Sequence, residues 1–181
     1  MRAEDSRPLG VRLHRLSDDA GNALIEFAFV APILVTLLLN LFDFSSLIWA
    51  KMETDYSAQI GAQAAFKSCA GGTMPAMTNC AGLNATVTTA AQSTSLGSNV
   101  SLASGYPTEN YYCTTSGNAL QSVGTYSSPP SPFDCSATGN PGVTPGDYIV
   151  VQVTYSYTPT FSGLSLASSQ TLTSTSLERL Q

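Results

Sequence analysis

The run from Leu24 to Ala50, LIEFAFVAPILVTLLLNLFDFSSLIWA, constrains this chain more than any other segment. As a helix rising ~1.5 Å per residue it reaches about 40 Å, enough to cross the roughly 30 Å hydrocarbon core of a bilayer. It is too long for the apolar part of a secretory signal peptide, and no small-x-small pattern closes it before a polar start. It is also more than a plain anchor. Glu26, Asn40 and Asp43 lie in or near it, and an acid at mid-membrane costs roughly 2.5 to 3.5 kcal/mol on insertion scales.

The flanking charges predict an orientation. Arg2, Arg7, Arg12 and Arg15 precede the run, and no Lys or Arg follows until Lys51. Basic residues beside an apolar span stay cytoplasmic, so the N-terminus faces in and everything after Lys51 faces out. The polar stretch before the span, with Pro8 and Gly10, reads as a short cytoplasmic leader. Trp49 falls where an interfacial aromatic belongs. Beyond it KMETDYSAQIGAQAAFKSCA holds good helix formers and no proline, so one helix extends to about Phe66. Ile48, Met52, Tyr56 and Ile60 recur every four residues beside the small Ala58, Ala62 and Ala65, which predicts that the stripe from Ile48 to Ile60 lies on the domain that follows.

Gly71, Gly72 and Pro75 end the helix, and residues 73–146 are rich in Ser, Thr, Gly, Asn and Pro. Strands are predicted around Ala85–Thr89 and Asn99–Ala103, with YSSPPSPFDC as a turn-rich loop. The clearest strand is Tyr148–Tyr157, where Ile149, Val151, Val153, Tyr155 and Tyr157 share one face. A Thr/Ser-rich strand around Gln170–Ser176 returns to pair with it after PTFSGLSLASS. The predicted fold class is α+β: a long N-terminal transmembrane helix extending into a small antiparallel β-sheet domain packed on its outer half. The divisions are a leader at 1–21, a membrane helix at 22–50, its continuation at 51–68 and a β-rich outer domain at 69–181.

All four cysteines, Cys69, Cys80, Cys113 and Cys135, fall on the outer side, where oxidation is permitted. Two disulfides are the natural reading. The nearest pairing by sequence is Cys69 with Cys80 and Cys113 with Cys135, though three connectivities are open and a four-cysteine zinc site is the alternative. Closing loops of this size stabilises a domain by roughly 3 kcal/mol each.

At 181 residues and a formal charge of −5 the chain has room for one modest domain plus an anchor. Nucleic acid is a poor partner, because only Lys51, Lys67 and Arg179 lie beyond the span. Catalysis finds little support either. No histidine follows His14, so the outer region builds neither a Ser-His-Asp nor a Cys-His arrangement, and there is no Gly-Lys phosphate loop. Glu109, Asp134 and Asp147 carry nothing to mark a catalytic pair, and no cofactor or metal is implied.

At the mouth of the span the residues read Gly21, Asn22, Ala23, Leu24, Ile25, Glu26, Phe27: a glycine, four residues, then Glu-Phe opening an apolar run. This resembles the prepilin processing site of type IV pilins and pseudopilins. The resemblance implies cleavage by a membrane-embedded prepilin peptidase between Gly21 and Asn22. The wider segment, with Glu26-Phe27, Pro32, Asp43-Phe44 and the Gly61-Ala62 step, resembles the TadE-like proteins of tight-adherence (Flp) pilus systems, and VQVTYSYTPTF with its Thr/Ser-rich sequel resembles their ending. The family implies a minor pilin or pseudopilin in a bacterial inner membrane. Its partners would be the prepilin peptidase, other pilins and pseudopilins, the inner-membrane assembly platform and the lipid bilayer, with cell adhesion as the wider process. In that setting the acceptor-like Asn84-Ala85-Thr86 and Asn99-Val100-Ser101 are chance matches.

Glu26 has a physical rationale of its own. Cleavage after Gly21 creates an amine on Asn22 at nearly the depth of Glu26, and in a staggered parallel bundle the amine of one subunit meets the Glu26 of its neighbour. Each of these residues also has an ordinary explanation. An acid near a helix N-terminus gains from the helix dipole, Pro32 can simply loosen a membrane helix, and Asp43 can be a water-seeking interfacial acid rather than a subunit contact. Tyr155, Tyr157 and Phe161 read as sheet core and rim. The rival function is an uncleaved single-pass membrane protein whose outer domain binds an envelope ligand or surface.

Overall fold

The structure, a computed structural model, describes residues 13–69 and 74–181, with side chains from Gly21 onward. The first leader residues, 1–12, and the helix stop at Gly71 and Gly72 lie outside the described residues. So do the side chains of His14, Arg15, Asp18 and Asp19.

Helix α1 (Leu13–Cys69) runs 57 residues, with Pro32 inside it, a length of about 85 Å at ~1.5 Å per residue. Its apolar run is bare: Leu24, Phe27, Phe29, Ile33, Leu37, Leu38 and Leu41 are all exposed. Two short helices follow, α2 (Ala76–Asn79) and α3 (Leu83–Ala91). Five strands then complete the fold: β1 (Val100–Leu102), β2 (Thr108–Thr114), β3 (Leu120–Thr125), β4 (Gly146–Tyr157) and β5 (Gln170–Arg179). Every pairing is antiparallel. Strand β4 is the centre: β5 lines one edge along its length, while β1 and β2 share the other edge end to end and β3 lies outside β2. The α+β architecture with its long helix is as the sequence predicts.

The outer part of α1 contributes small residues to the core. Ala58, Ala62 and Ala65 are fully buried and pack with Leu83, Val87 and Ala91 of α3 and with Ile149, Val151 and Val153 of β4. Ala50, with Leu47 beside it, meets Tyr157 and Leu172 lower down. The seam Asn40, Asp43, Leu47, Ala50, Thr54, Ser57, Ala58, Gly61, Ala62, Ala65, Cys69 advances by threes and fours, the period of one helix face. This corrects the expectation that the stripe from Ile48 to Ile60 docks. Ile48, Met52 and Tyr56 are turned away and more than half exposed. The reason is distance: a helix lying this close to a second helix and a sheet has room only for small side chains at the contact.

Two more differences have local causes. The segment predicted as a strand at Ala85–Thr89 is the middle of α3, because Leu83, Val87 and Ala91 recur every four residues and form a buried helical face. Threonines at 86, 88 and 89 supply strand propensity but face away from that core. Strands β2 and β3 escape the sequence pattern because a register shift at Tyr111/Tyr112 breaks the alternation of β2, and β3 is a mostly exposed edge. By contrast β1, β4 and β5 fall where predicted, and 126–135 is a turn-rich loop.

The cysteines pair as nearest neighbours, Cys69–Cys80 and Cys113–Cys135. The first fastens the end of α1 to α2, and the second fastens β2 to the loop before β4. With all four in disulfides, the zinc alternative is gone. Glu109 of β2 adds a polar tie, accepting hydrogen bonds from the Ala76 and Met77 amides at 2.8 Å each.

Gly61 marks a close approach of α1 to α3 and β4. A Cβ there would meet Val151 Cγ1 at 3.2 Å and Val87 Cγ1 at 3.4 Å. Gly61→Ala is expected to be close to neutral, since a small displacement of the valines is offset by a gain in helix propensity of about 0.8–1 kcal/mol. Gly61→Leu overpacks the seam and should cost about 1–3 kcal/mol. Thermal unfolding of the detergent-solubilised chain, comparing the two variants, checks this.

Candidate functional site

The residues singled out at the inner end of the span stand together on α1. Gly21, Asn22, Glu26 and Phe27 are all exposed on continuous helix, and nothing approaches Gly21 within 4 Å. Asn22 and Glu26 are four apart and so share a face, one turn along the axis. Pro32, Ile33, Thr36 and Leu37 line a shallow apolar hollow farther out. The Thr36 hydroxyl donates to the Pro32 carbonyl at 2.8 Å, keeping that polar group inside the helix.

Asp43 behaves differently from both sequence readings. It is fully buried, neither a water-seeking acid nor open to a neighbouring subunit. Its Oδ1 accepts from the Thr160 amide at 2.9 Å and its Oδ2 from the Phe161 amide at 3.3 Å. The Tyr157 hydroxyl donates to the Asp43 carbonyl at 2.8 Å, and Ser46 Oγ lies 2.8 Å from the same hydroxyl. One turn below, Asn40 completes the arrangement, with Nδ2 donating to the Leu164 carbonyl at 3.1 Å and Oδ1 accepting from the Leu166 amide at 2.7 Å. These two side chains hold the β4–β5 loop against the helix. Asn40 and the loop were missed as partners, although Asn40 and Asp43 begin the buried period that continues through Leu47, Ala50 and Thr54.

Glu26 has no such arrangement: it is exposed and makes no side-chain hydrogen bond to any described residue, whereas the exposed Thr36 and Ser45 hydroxyls donate to carbonyls of their own helix. Above the span Lys51 is anchored to the domain, its Nζ donating to Asp55 and to the Thr173 carbonyl at 2.9 Å each.

At the far end of the sheet Asp147 is buried, with one carboxylate oxygen 2.7 Å from the Tyr126 hydroxyl and the other without a partner among the described residues. Burial pushes its pKa up to about 6, opposed by the Tyr126 hydrogen bond and reinforced by the nearby Glu109 carboxylate. The same burial, and the Asp147 carboxylate, push the Tyr126 phenol up as well. These groups tie β2, β4 and the loop before β4 together, and nothing in their arrangement sets up a reaction.

The comparisons with known proteins fall on the helix. Residues 21–63 match the family of TadE-like proteins, a stretch that begins at the exposed Gly21 and ends in the small-residue seam. No curated protein and no solved structure matches the chain. The similarity is confined to the helix and leaves the outer domain outside the matched residues.

Two outcomes are expected. Asp43→Ala strands two buried amides at a cost of about 1–3 kcal/mol; hydrogen exchange at Thr160 and Phe161 should accelerate while Val151 stays protected. For Asp147, a native pKa raised from 3.8 to about 6 means the folded state binds the extra proton between those values, so this residue's stabilisation is lost as pH rises through that window. Relative to the parent chain, Asp147→Asn should therefore gain stability from pH 3.8 to about 6 and hold a constant difference above it, as denaturant unfolding at a series of pH values will test.

Proposed function

We propose that this chain, TadE-like over residues 21–63, is a minor pilin or pseudopilin of a tight-adherence pilus. A prepilin peptidase would cut it between Gly21 and Asn22, and it would assemble with other subunits through the exposed face of α1. Its setting would be a bacterial inner membrane, N-terminus in and domain out, beside the assembly platform.

The observation that carries this reading is the length of the bare apolar face. A membrane anchor needs about 20 apolar residues, and counting from Leu24 these end at Asp43. The apolar face does not stop there. Ile48, Met52 and Tyr56 continue it for two further turns, and Met52 is 65 % exposed. A helix serving only as an anchor has no use for apolar side chains in water; one that packs against neighbouring helices along its length has. The opposite face is occupied by the chain's own domain, so this free face is the one available to partners.

Glu26 supports the same reading. An unpaired carboxylate in the span is costly alone, and the amine released on Asn22 by cleavage offers a partner at nearly the same depth. In a staggered bundle that partner comes from the adjacent subunit, which makes assembly more favourable than isolation in the bilayer.

The test begins with N-terminal sequencing of the membrane-extracted protein from cells with an active prepilin peptidase. A start at Asn22 is expected, and an intact Met1 would sink the proposal in favour of an uncleaved single-pass protein. Gly21→Ile should abolish the mobility change on processing. Met52→Glu and Glu26→Ala should each leave insertion and processing intact while reducing pilus assembly; normal piliation in both would remove the helix-packing argument.

A further inference from the structure

The β4–β5 loop, residues 158–169, grips α1 at an unexpected level. Asp18, Asp19 and Asn22 set the inner limit of the apolar run, so a span of about 20 residues starting at Leu24 places the outer edge of the hydrocarbon close to Asp43. Asn40 lies within that span. The loop is bonded to both residues, through Thr160 and Phe161 at Asp43 and through Leu164 and Leu166 at Asn40. Phe161 also stacks edge-on with Phe42, their ring centres 5.9 Å apart. A loop hydrogen-bonded to side chains of a spanning helix shares their depth.

Its chemistry suits that depth. Irregular backbone is tolerated in a bilayer only where its polar groups find partners in the protein. Here the Thr160, Phe161 and Leu166 amides bond to Asp43 and Asn40, the Leu164 and Ser165 amides to the Phe161 carbonyl, and the Ala167 amide to Ser165 Oγ. No charged residue occurs between Asp147 and Glu178. Two large apolar side chains of the loop are left exposed, Leu164 at 58 % and Leu166 at 82 %, between the small uncharged Thr160, Ser162 and Ser168.

We infer that the β4–β5 loop is immersed in the outer leaflet, with Leu164 and Leu166 in contact with lipid, so that the domain sits flush on the bilayer rather than standing off on the helix. The occupant of this surface is lipid rather than another helix because the surface is continuous with the lipid-facing run and lies at its depth. On this account Asn40 and Asp43 enter the membrane already paired. The inference rests on α1 spanning a bilayer and not on any role in a pilus.

The experiment uses the full chain with Trp49→Phe as background, reconstituted in phosphatidylcholine vesicles carrying brominated acyl chains, which quench tryptophan on contact. Single tryptophans are placed by Leu166→Trp in the loop, Leu34→Trp in the span and Phe133→Trp at the distal end of the sheet; all three positions are exposed. The expected result is a loss of emission for Leu166→Trp comparable to that for Leu34→Trp, with Phe133→Trp unaffected. If Leu34→Trp is quenched and Leu166→Trp is not, the inference fails. Blue-shifted but unquenched emission at 166 then identifies a second copy as the cover, and red-shifted emission identifies water. If Leu34→Trp itself is unquenched, the helix does not lie in the bilayer and the membrane setting proposed above fails with it.

Discussion

The close contact between the outer part of α1 and its own domain is the constraint on which the rest of the structure depends. Ala58, Gly61, Ala62 and Ala65 bring the helix near enough for Val87 and Val151 to crowd the place a Cβ would take on Gly61. Only small residues permit that approach, and the consequence reaches beyond packing density. By placing alanine, glycine and serine on the docked face, the sequence leaves its larger apolar residues, Ile48, Met52 and Tyr56, on the other side. One helix thus has two contact faces of opposite character, a small-residue face used within the chain and a bulky apolar one left open.

The polar residues of the apolar run divide along the same line. Asn40 and Asp43 lie on the docked face and are consumed by the β4–β5 loop, whose amides they bind. A buried acid that accepts two amide hydrogen bonds fixes the loop and loses little by leaving water. Glu26 sits too far along the helix for the domain to reach and is left exposed. Acids that look alike in sequence therefore differ in the structure: Asp43 orders its own chain, whereas Glu26 is partnered by no side chain or amide of the described residues, as the proposed pairing in a bundle needs.

Much of this was legible in the sequence, and the exceptions share a cause. The long apolar helix and its continuation, the alternating strand at Tyr148–Tyr157, its Thr/Ser-rich partner and the nearest-neighbour disulfides all follow from local patterns. What failed was every decision needing knowledge of a distant partner. Ile48, Met52 and Tyr56 form a better hydrophobic stripe than Ala58, Ala62 and Ala65, and periodicity prefers the larger side chains; only the proximity of α3 and β4 reverses the choice. The Thr-rich 85–89 segment reads as a strand until the core selects Leu83, Val87 and Ala91. Asp43 reads as interfacial because the residues that bury it lie more than a hundred positions away.

The two ends of the β-sheet complete the argument about depth. Strand β4 runs from Gly146 to Tyr157, so the sheet has a polar pole, where Asp147, Glu109 and Arg179 gather, and an apolar pole at Tyr157, Leu172 and the loop beyond. That gradient parallels the helix, which passes from bare apolar surface to charged residues at Lys51 and Asp55 over the same direction. Lys51 binds the Thr173 carbonyl of β5 where the two gradients change over. On the proposed account the two gradients run together because one pole of the domain lies in lipid and the other in water.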